Sequence, residues 1–271
     1  MARHTTTPPC GAAGNRSRHV DPDGTIPPAC GPDAKARRVQ LGPPPGSRPT
    51  PADLPAAVRD AARDLGHRPA ITVLRRGRRE EQGMASLAQW AAKGAHLLEA
   101  DLLLEPGDRL ALRGPACWPL AAVALAAWWV GIVVTLDGDA EVAVVHEGHD
   151  PPPGAEDVLW TGDAVDGSPV RTVDGEPWAQ AVQAFPDHPP TAQGQGASVA
   201  LEHDGRLATQ QELIARVADE HGVLGIDAAT VGAVEGLVAV AVRPVVTGRA
   251  TVVLSGAVRE DAAGERVAVW R

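Results

Sequence analysis

Apolar and polar positions alternate between two rhythms from about residue 51 onward. "TPADLPAAVRDAARDLG" predicts a helix of about four turns: Thr50 can cap it, Pro51 suits its first position, Asp53 favours its first turn and Gly66 can close it. "AITVLRRGRREEQGMAS" then predicts a strand, a turn at Gly77 and a second extended arm. From Ser86 onward, Leu87, Trp90, Ala91, Gly94, Leu97 and Leu98 share one helical face, the pattern of a helix laid on a core. "EPGDRLALRG" reads as a turn at Pro106 and Gly107 into a short strand over residues 110–112.

Residues 114–136, "GPACWPLAAVALAAWWVGIVVTL", run for 23 positions without a charge. That is long enough for a bilayer. Six of them are alanine, however, and the indoles of Trp128 and Trp129 would sit near the middle of the hydrocarbon, whereas tryptophan favours the interface. Gly131 divides the run into an Ala-rich helix, with Trp118, Ala122, Leu125 and Trp129 on one face, and a β-branched strand over 132–135. A buried strand, helix and strand is expected, and no membrane span.

The alternation continues through "EVAVVH", "EDVLW", helical "EPWAQAVQAF" and strand-like "ASVALE". In "TQQELIARVADEHG", Thr209 and Glu212 form a capping box and Gly222 a stop. "GLVAVAVRPVVTG" follows as a helix and "ATVVLS" as a strand. Continuous apolar strands between helices imply an α/β fold, a mainly parallel sheet with helices on both faces.

Charge changes the picture at the amino end. Residues 1–50 hold seven Lys or Arg against three acids, while the remainder holds 18 against 31. The Pro/Gly/Arg-rich first 50 residues lack helical or strand periodicity and are expected to be a disordered tail, with residues 51–271 as the folded domain. An acidic body repels polyphosphate, so no nucleic-acid partner is expected. Cys10, Cys30 and Cys117 match no metal or disulfide spacing, and no apolar run suits a secretion signal, so a reduced, cytoplasmic setting is expected.

The stretch from Ser86 to Asp137 resembles the N-terminal part of adenylate-forming enzymes, the superfamily of acyl-CoA synthetases, luciferases and peptide-synthetase adenylation domains. Pro106, Gly107, Asp108 and Arg109 match its Pro-Gly-Asp-Arg turn, and residues 131–137 match its following strand. The Trp-rich form is similar to a group of short uncharacterised AMP-binding-synthetase-like proteins. Further on, "LATQQELIARVADEHGV" and "GLVAVAVRPVVTGRATVVLS" are similar to the helix after the superfamily's phosphate loop and to its later helix, turn and strand. The resemblance covers about residues 52–256. It implies an adenylation chemistry whose Thr-Ser-Gly-Thr-Thr-Gly-x-Pro-Lys-Gly loop holds the ATP phosphates, yet this sequence has no such loop between Leu201 and Thr209. The lysines of the chain, Lys35 and Lys93, match neither the loop lysine nor the superfamily's C-terminal catalytic lysine, and the later Tyr-Gly-x-Thr-Glu type motif and the C-terminal subdomain are not found.

Other constellations are weighed on their own terms. "GQGAS" (194–198) precedes a strand instead of opening a helix, which suits a turn better than a phosphate cradle. "HEGHD" places His146, Glu147, His149 and Asp150 close together, but Gly148 and the prolines deny them a metal-binding helix, so solvated loop residues are expected. Arg75, Arg76, Arg78 and Arg79 read as an exposed hairpin tip. Ser198, His203 and Asp204 lack a nucleophile elbow. Cys117 reads as buried and inert, and His221 as a residue at a helix end. No catalytic residue, metal site or cofactor is assigned, and cofactor-binding residues are left open. The expectation is a degenerate, non-catalytic homologue that keeps a small-molecule pocket or a protein-partner surface; the alternative is a component of an acyl- or adenylate-processing enzyme completed by another chain.

Overall fold

The computed structural model describes residues 49–271, so the expected tail, with Cys10, Cys30 and Lys35, lies outside the described residues. The first helix, α1 (Leu54–Leu65), is capped by Asp53, whose carboxylate accepts the amide of Ala56, and Pro55 lies in its first turn. The start signals were read one turn too early, because Thr50-Pro51 and Asp53-Pro55 offer the same local chemistry. Strands β1 (Pro69–Arg75) and β2 (Arg78–Gly83) form the expected hairpin about Gly77. Helix α2 (Met84–His96) runs into a π-turn, Leu97–Asp101.

Next come β3 (Arg109–Arg113), α3 (Trp118–Val130) and β4 (Val133–Thr135), the strand, helix and strand read from the uncharged run. Every residue of α3 is buried, so its helix is apolar all round because it sits in the middle of a protein. At 13 residues it is too short for a bilayer, and among the described residues no helix is long and apolar enough to cross a membrane. The Pro-Gly-Asp-Arg turn joins the two strands: Gly107 N–H donates to the Gly131 carbonyl, and Val133 N–H to that of Asp108.

Strands β5 (Val142–His146), β6 (Asp157–Thr161) and the two-residue β7 (Glu176–Pro177) precede the single turn α4 (Trp178–Ala181). Strands β8 (Val199–His203) and β9 (Arg206–Thr209) lead to α5 (Gln210–Ala215), which starts with the expected Thr209–Glu212 capping box. It ends at Ala215, not at Gly222: Val217 and Glu220 bond three residues back, in tight turns that drop Val217 into the core. His221 is therefore not at a helix end. Strand β10 (Val223–Asp227) is followed by α6 (Ala233–Leu237), a π-turn (Val238–Val242) and α7 (Arg243–Thr247). Pro244 cannot donate to the Val240 carbonyl, and the ladder widens just before it. Strands β11 (Thr251–Ser255) and β12 (Val267–Trp270) flank a 3-10 helix, Arg259–Glu265.

The strands divide between two sheets, ordered β12-β10-β11-β1-β2 and β7-β6-β5-β3-β4-β8-β9. Pairing is parallel throughout, except for the edge hairpins β1-β2 and β8-β9. Helices α1, α2, α3 and the α6–α7 segment lie between the sheets, and one apolar cluster takes in those helices with Ile71, Val73 and Ile226 of the first sheet and Leu110, Val134 and Val144 of the second. The 3-10 helix covers the far face of the first sheet, where Ala262 packs on Leu74, Val252 and Leu254. A fully buried Gln210 locks the middle layer: its amide donates to the Trp128 carbonyl, and its oxygen accepts the Leu54 amide.

Candidate functional site

Two features at the carboxyl ends of the strands define the site. The first is a cavity of about 490 Å³ beside Arg113 and Gly114 at the end of β3. The chain leaves β3 for β4 on one side and later places β5 on the other, so the order reverses at β3. Ligands of open α/β sheets bind beyond strand ends at such reversals. The walls are mostly apolar, among them Leu112, Leu120 and Val240, with Cys117, Arg113 and His149 as polar exceptions. The Arg113 guanidinium is occupied by the carbonyls of Leu112, Thr135 and Gly138, and burial holds its pKa below the ordinary arginine value. Burial likewise pushes the Cys117 thiol up to about 12, against the backbone bond from Leu120, so it is no nucleophile at neutral pH, as its neighbours suggested.

The second feature is the β8-β9 hairpin. His203 pairs with Arg206 across a two-residue turn in which Asp204 and Gly205 have φ of 50° and 68°. Positive φ at both central positions is the type I′ turn, whose twist matches that of the flanking strands. Asp-Gly between two extended segments is its sequence signal. β9 went unread because "RLAT" is short and runs straight into the capping box.

Beneath the loop that follows β6, "HEGHD" proves half buried. His146 and Glu147 are 5% and 9% exposed, while His149 and Asp150 are exposed as expected. Solvation of the first two is corrected: parallel pairing of His146 with Thr161 carries both under residues 162–171. Glu147 accepts the backbone amides of Asp163, Val170 and Arg171. Burial works against its charge, but these three bonds together hold its pKa below the usual carboxylate value. His146 Nε2 lies 3.3 Å from Asp163 Oδ1, which also meets Arg75 Nη1 at 2.6 Å, tying the end of β1 to the second sheet.

Glu147→Ala is expected to free this loop, at a cost of about 1–3 kcal/mol for the amides left unpaired. Amide exchange at residues 163, 170 and 171 checks it, and unchanged protection would show that the carboxylate is not the anchor. Because the folded pKa is depressed, Glu147's contribution is full above its unfolded pKa, about 4.3, and fades as the pH falls through the folded value.

At the start of "GQGAS", the amides of Gly194 and of Gln193 just before it donate to the Trp129 carbonyl, and a side chain on Gly194 would run into the Trp128 carbonyl oxygen. The glycine serves close packing on the end of α3, consistent with a turn. Ser198 stands just before β8 and His203 at its end, about 16 Å apart along the extended segment, and they form no triad. Of the arginine cluster, Arg76 and Arg78 are exposed at the hairpin tip, whereas Arg75 is drawn inward. Lys93 is committed to the Phe185 carbonyl and Asp187.

No family model matches the chain. Over 99 residues it is 37% identical to a TIGR03089 family protein of Mycobacterium tuberculosis, a match covering 35% of this chain and 41% of that protein. Among solved structures, Brucella canis acyl-CoA synthetase aligns with a TM-score of 0.56 at 19% identity, over 74% of this chain and 43% of its own. A Mycobacterium tuberculosis fatty acyl CoA synthetase aligns with a TM-score of 0.59 at 16% identity, over 81% and 49%. The fold is that of the acyl-CoA synthetases. It lies in their N-terminal part: the inhibitor-bound N-terminal domain of FACL13 from Mycobacterium tuberculosis gives a TM-score of 0.59 at 16% identity, over 81% of this chain and 62% of that one. The chain thus spans about half the length of the full synthetases it matches. The fold implied by the Pro-Gly-Asp-Arg turn and the strand over 131–137 is the one found.

Proposed function

We propose that this chain is a degenerate, non-catalytic homologue of the N-terminal domain of AMP-binding acyl-CoA synthetases, with residues 51–271 acting as a ligand- or partner-binding module in the cytoplasm. The observation that carries the reading is the Asp204–Gly205 turn, standing where the resemblance places the phosphate loop. A phosphate cradle needs several free backbone amides and a cation facing one point. Here the Asp204 amide is spent on Asp137, and the carboxylates of Asp137 and Asp204 set negative charge where phosphates would lie. The apolar cavity at the end of β3 has the size and lining of a small-molecule pocket.

Calorimetry of the full chain with ATP and with AMP tests the proposal. No saturable heat is expected up to about 1 mM nucleotide, a binding free energy weaker than about −4 kcal/mol. Saturable ATP binding that Arg206→Ala removes would overturn it. The second reading, a component of an acyl- or adenylate-processing enzyme completed by another chain, draws on one observation: this fold accounts for only about half of the synthetases it resembles. That reading gains if adding a separate chain restores nucleotide binding.

A further inference from the structure

We propose that Asp137, His203 and Asp204 form a binding site for one divalent transition-metal ion of the zinc type. Neither the resemblance nor the proposed function assigns such a site. Asp137 follows β4, His203 ends the adjacent parallel strand β8, and Asp204 opens the hairpin turn, so the sheet brings together residues 66 to 67 positions apart in sequence. Each offers one ligand atom, and the three atoms lie within 4.8 Å of one another.

One of the separations is that of neighbouring ligands around an ion. With metal–ligand bonds of about 2.1 Å, neighbouring ligands of a tetrahedral site stand about 3.4 Å apart. His203 Nδ1 and Asp137 Oδ2 are 3.4 Å apart. Although so close, they make no hydrogen bond: Nδ1 is shielded from solvent and has no hydrogen-bond partner among the described residues. An ion held between the two would satisfy it.

Asp204 Oδ2 lies 3.6 Å from the other ring nitrogen, so it would have to turn about its own bonds to share an ion with Asp137 and Nδ1; its side chain is 78% exposed and has room to do so. Asp137 is already oriented. Its Oδ2 accepts the Asp204 amide at 2.7 Å, a backbone bond of the kind that aims a ligand from the outer shell. One imidazole with two carboxylates suits zinc and its neighbours better than the all-oxygen sets of calcium or magnesium.

Three protein ligands leave a fourth position for water or an exogenous anion. A cavity of about 350 Å³ shares His203 and Asp204 as walls and is also lined by Arg206 and Arg216, cations suited to an anionic fourth ligand. The ion would fasten the hairpin to the end of β4.

Full-length protein stripped with a chelator and titrated with Zn²⁺ against a chromophoric competitor tests the proposal, with Co²⁺ as a spectroscopic substitute. One ion per chain is expected, with visible Co²⁺ bands of a four-coordinate N/O site. His203→Gln and Asp137→Asn should each raise the Kd more than about tenfold, the lower bound known for outer-shell changes, and His149→Gln should not. Asp137→Asn keeps a carbonyl oxygen for the Asp204 amide, so unaltered melting without metal separates loss of a ligand from loss of the fold. Absence of a stoichiometric site in the parent, or parent-like affinity in both ligand variants, overturns the proposal.

Discussion

Arg243→Met is expected to cost about 3–5 kcal/mol, the range for removing one partner of a buried ion pair. Arg243 begins α7 with its side chain 1% exposed. Its Nε donates to Glu220, Nη1 to the carbonyls of Arg249 and Ala250, and Nη2 to that of Gly222. One planar cation thereby gathers the segment before β10, the turn before β11 and the α6–α7 segment. Burial lowers its pKa from the ordinary arginine value while Glu220 opposes the shift, and the group stays charged. Methionine fills similar space but leaves the carbonyls of Gly222, Arg249 and Ala250 unanswered, and leaves Glu220 with Arg271 Nη2, 2.9 Å away, as its remaining cation. Arg243→Lys should be intermediate, because an ammonium cannot serve three directions in one plane. Urea unfolding of the three proteins checks this; a methionine variant within about 1 kcal/mol of the parent, an ordinary mutational loss, would show that the network is not holding these segments.

The second large effect concerns chemistry. Pyrophosphate exchange from ATP across a panel of carboxylic acids is expected to stay at background. Phosphoryl centres are activated by positioned cations and backbone donors, and losing one such donor typically costs about 3 kcal/mol, roughly a hundredfold or more in rate. On the proposed reading several such donors are missing together, although such losses need not add. Lys93 is tied to Asp187 and Phe185, and Arg206 sits on the hairpin beside acidic groups. Exchange above background that Arg206→Ala abolishes would reverse the reading and favour the enzyme component.

Local rules carried the sequence a long way. The β3–α3–β4 unit, the Thr209–Glu212 box, the β1-β2 hairpin and the glycine stop at 131 each depend on residues within a few positions of one another. What they could not convey was partnership across the chain. The division into two sheets follows from β1 pairing with β11, a register that no local periodicity encodes. Arg243 looks like a stray charge in an apolar helix until residues 220–222 and 249–250 are folded around it. Glu147 looks like part of a wet loop until residues 163–171 supply its three amides. The Asp204–Gly205 turn is different: its dipeptide signal is local, yet the shortness of β9 hides the hairpin. Its neighbour Asp137 was noted only as the end of a matched strand, and the juxtaposition with His203 required the sheet.

The pairing of β1 also bears on synthesis. Its hairpin partner β2 follows at once, but its other edge is covered by β11, where Arg75 donates to Ser255, 180 residues on. A chain made from its amino end must keep that apolar edge unsatisfied until residues 251–255 have left the ribosome. Contacts so distant in sequence slow folding and lengthen exposure to wrong partners. The charged arm "RREEQG" of β2 guards one side of the nascent hairpin meanwhile, since charge on an edge strand discourages pairing with another chain.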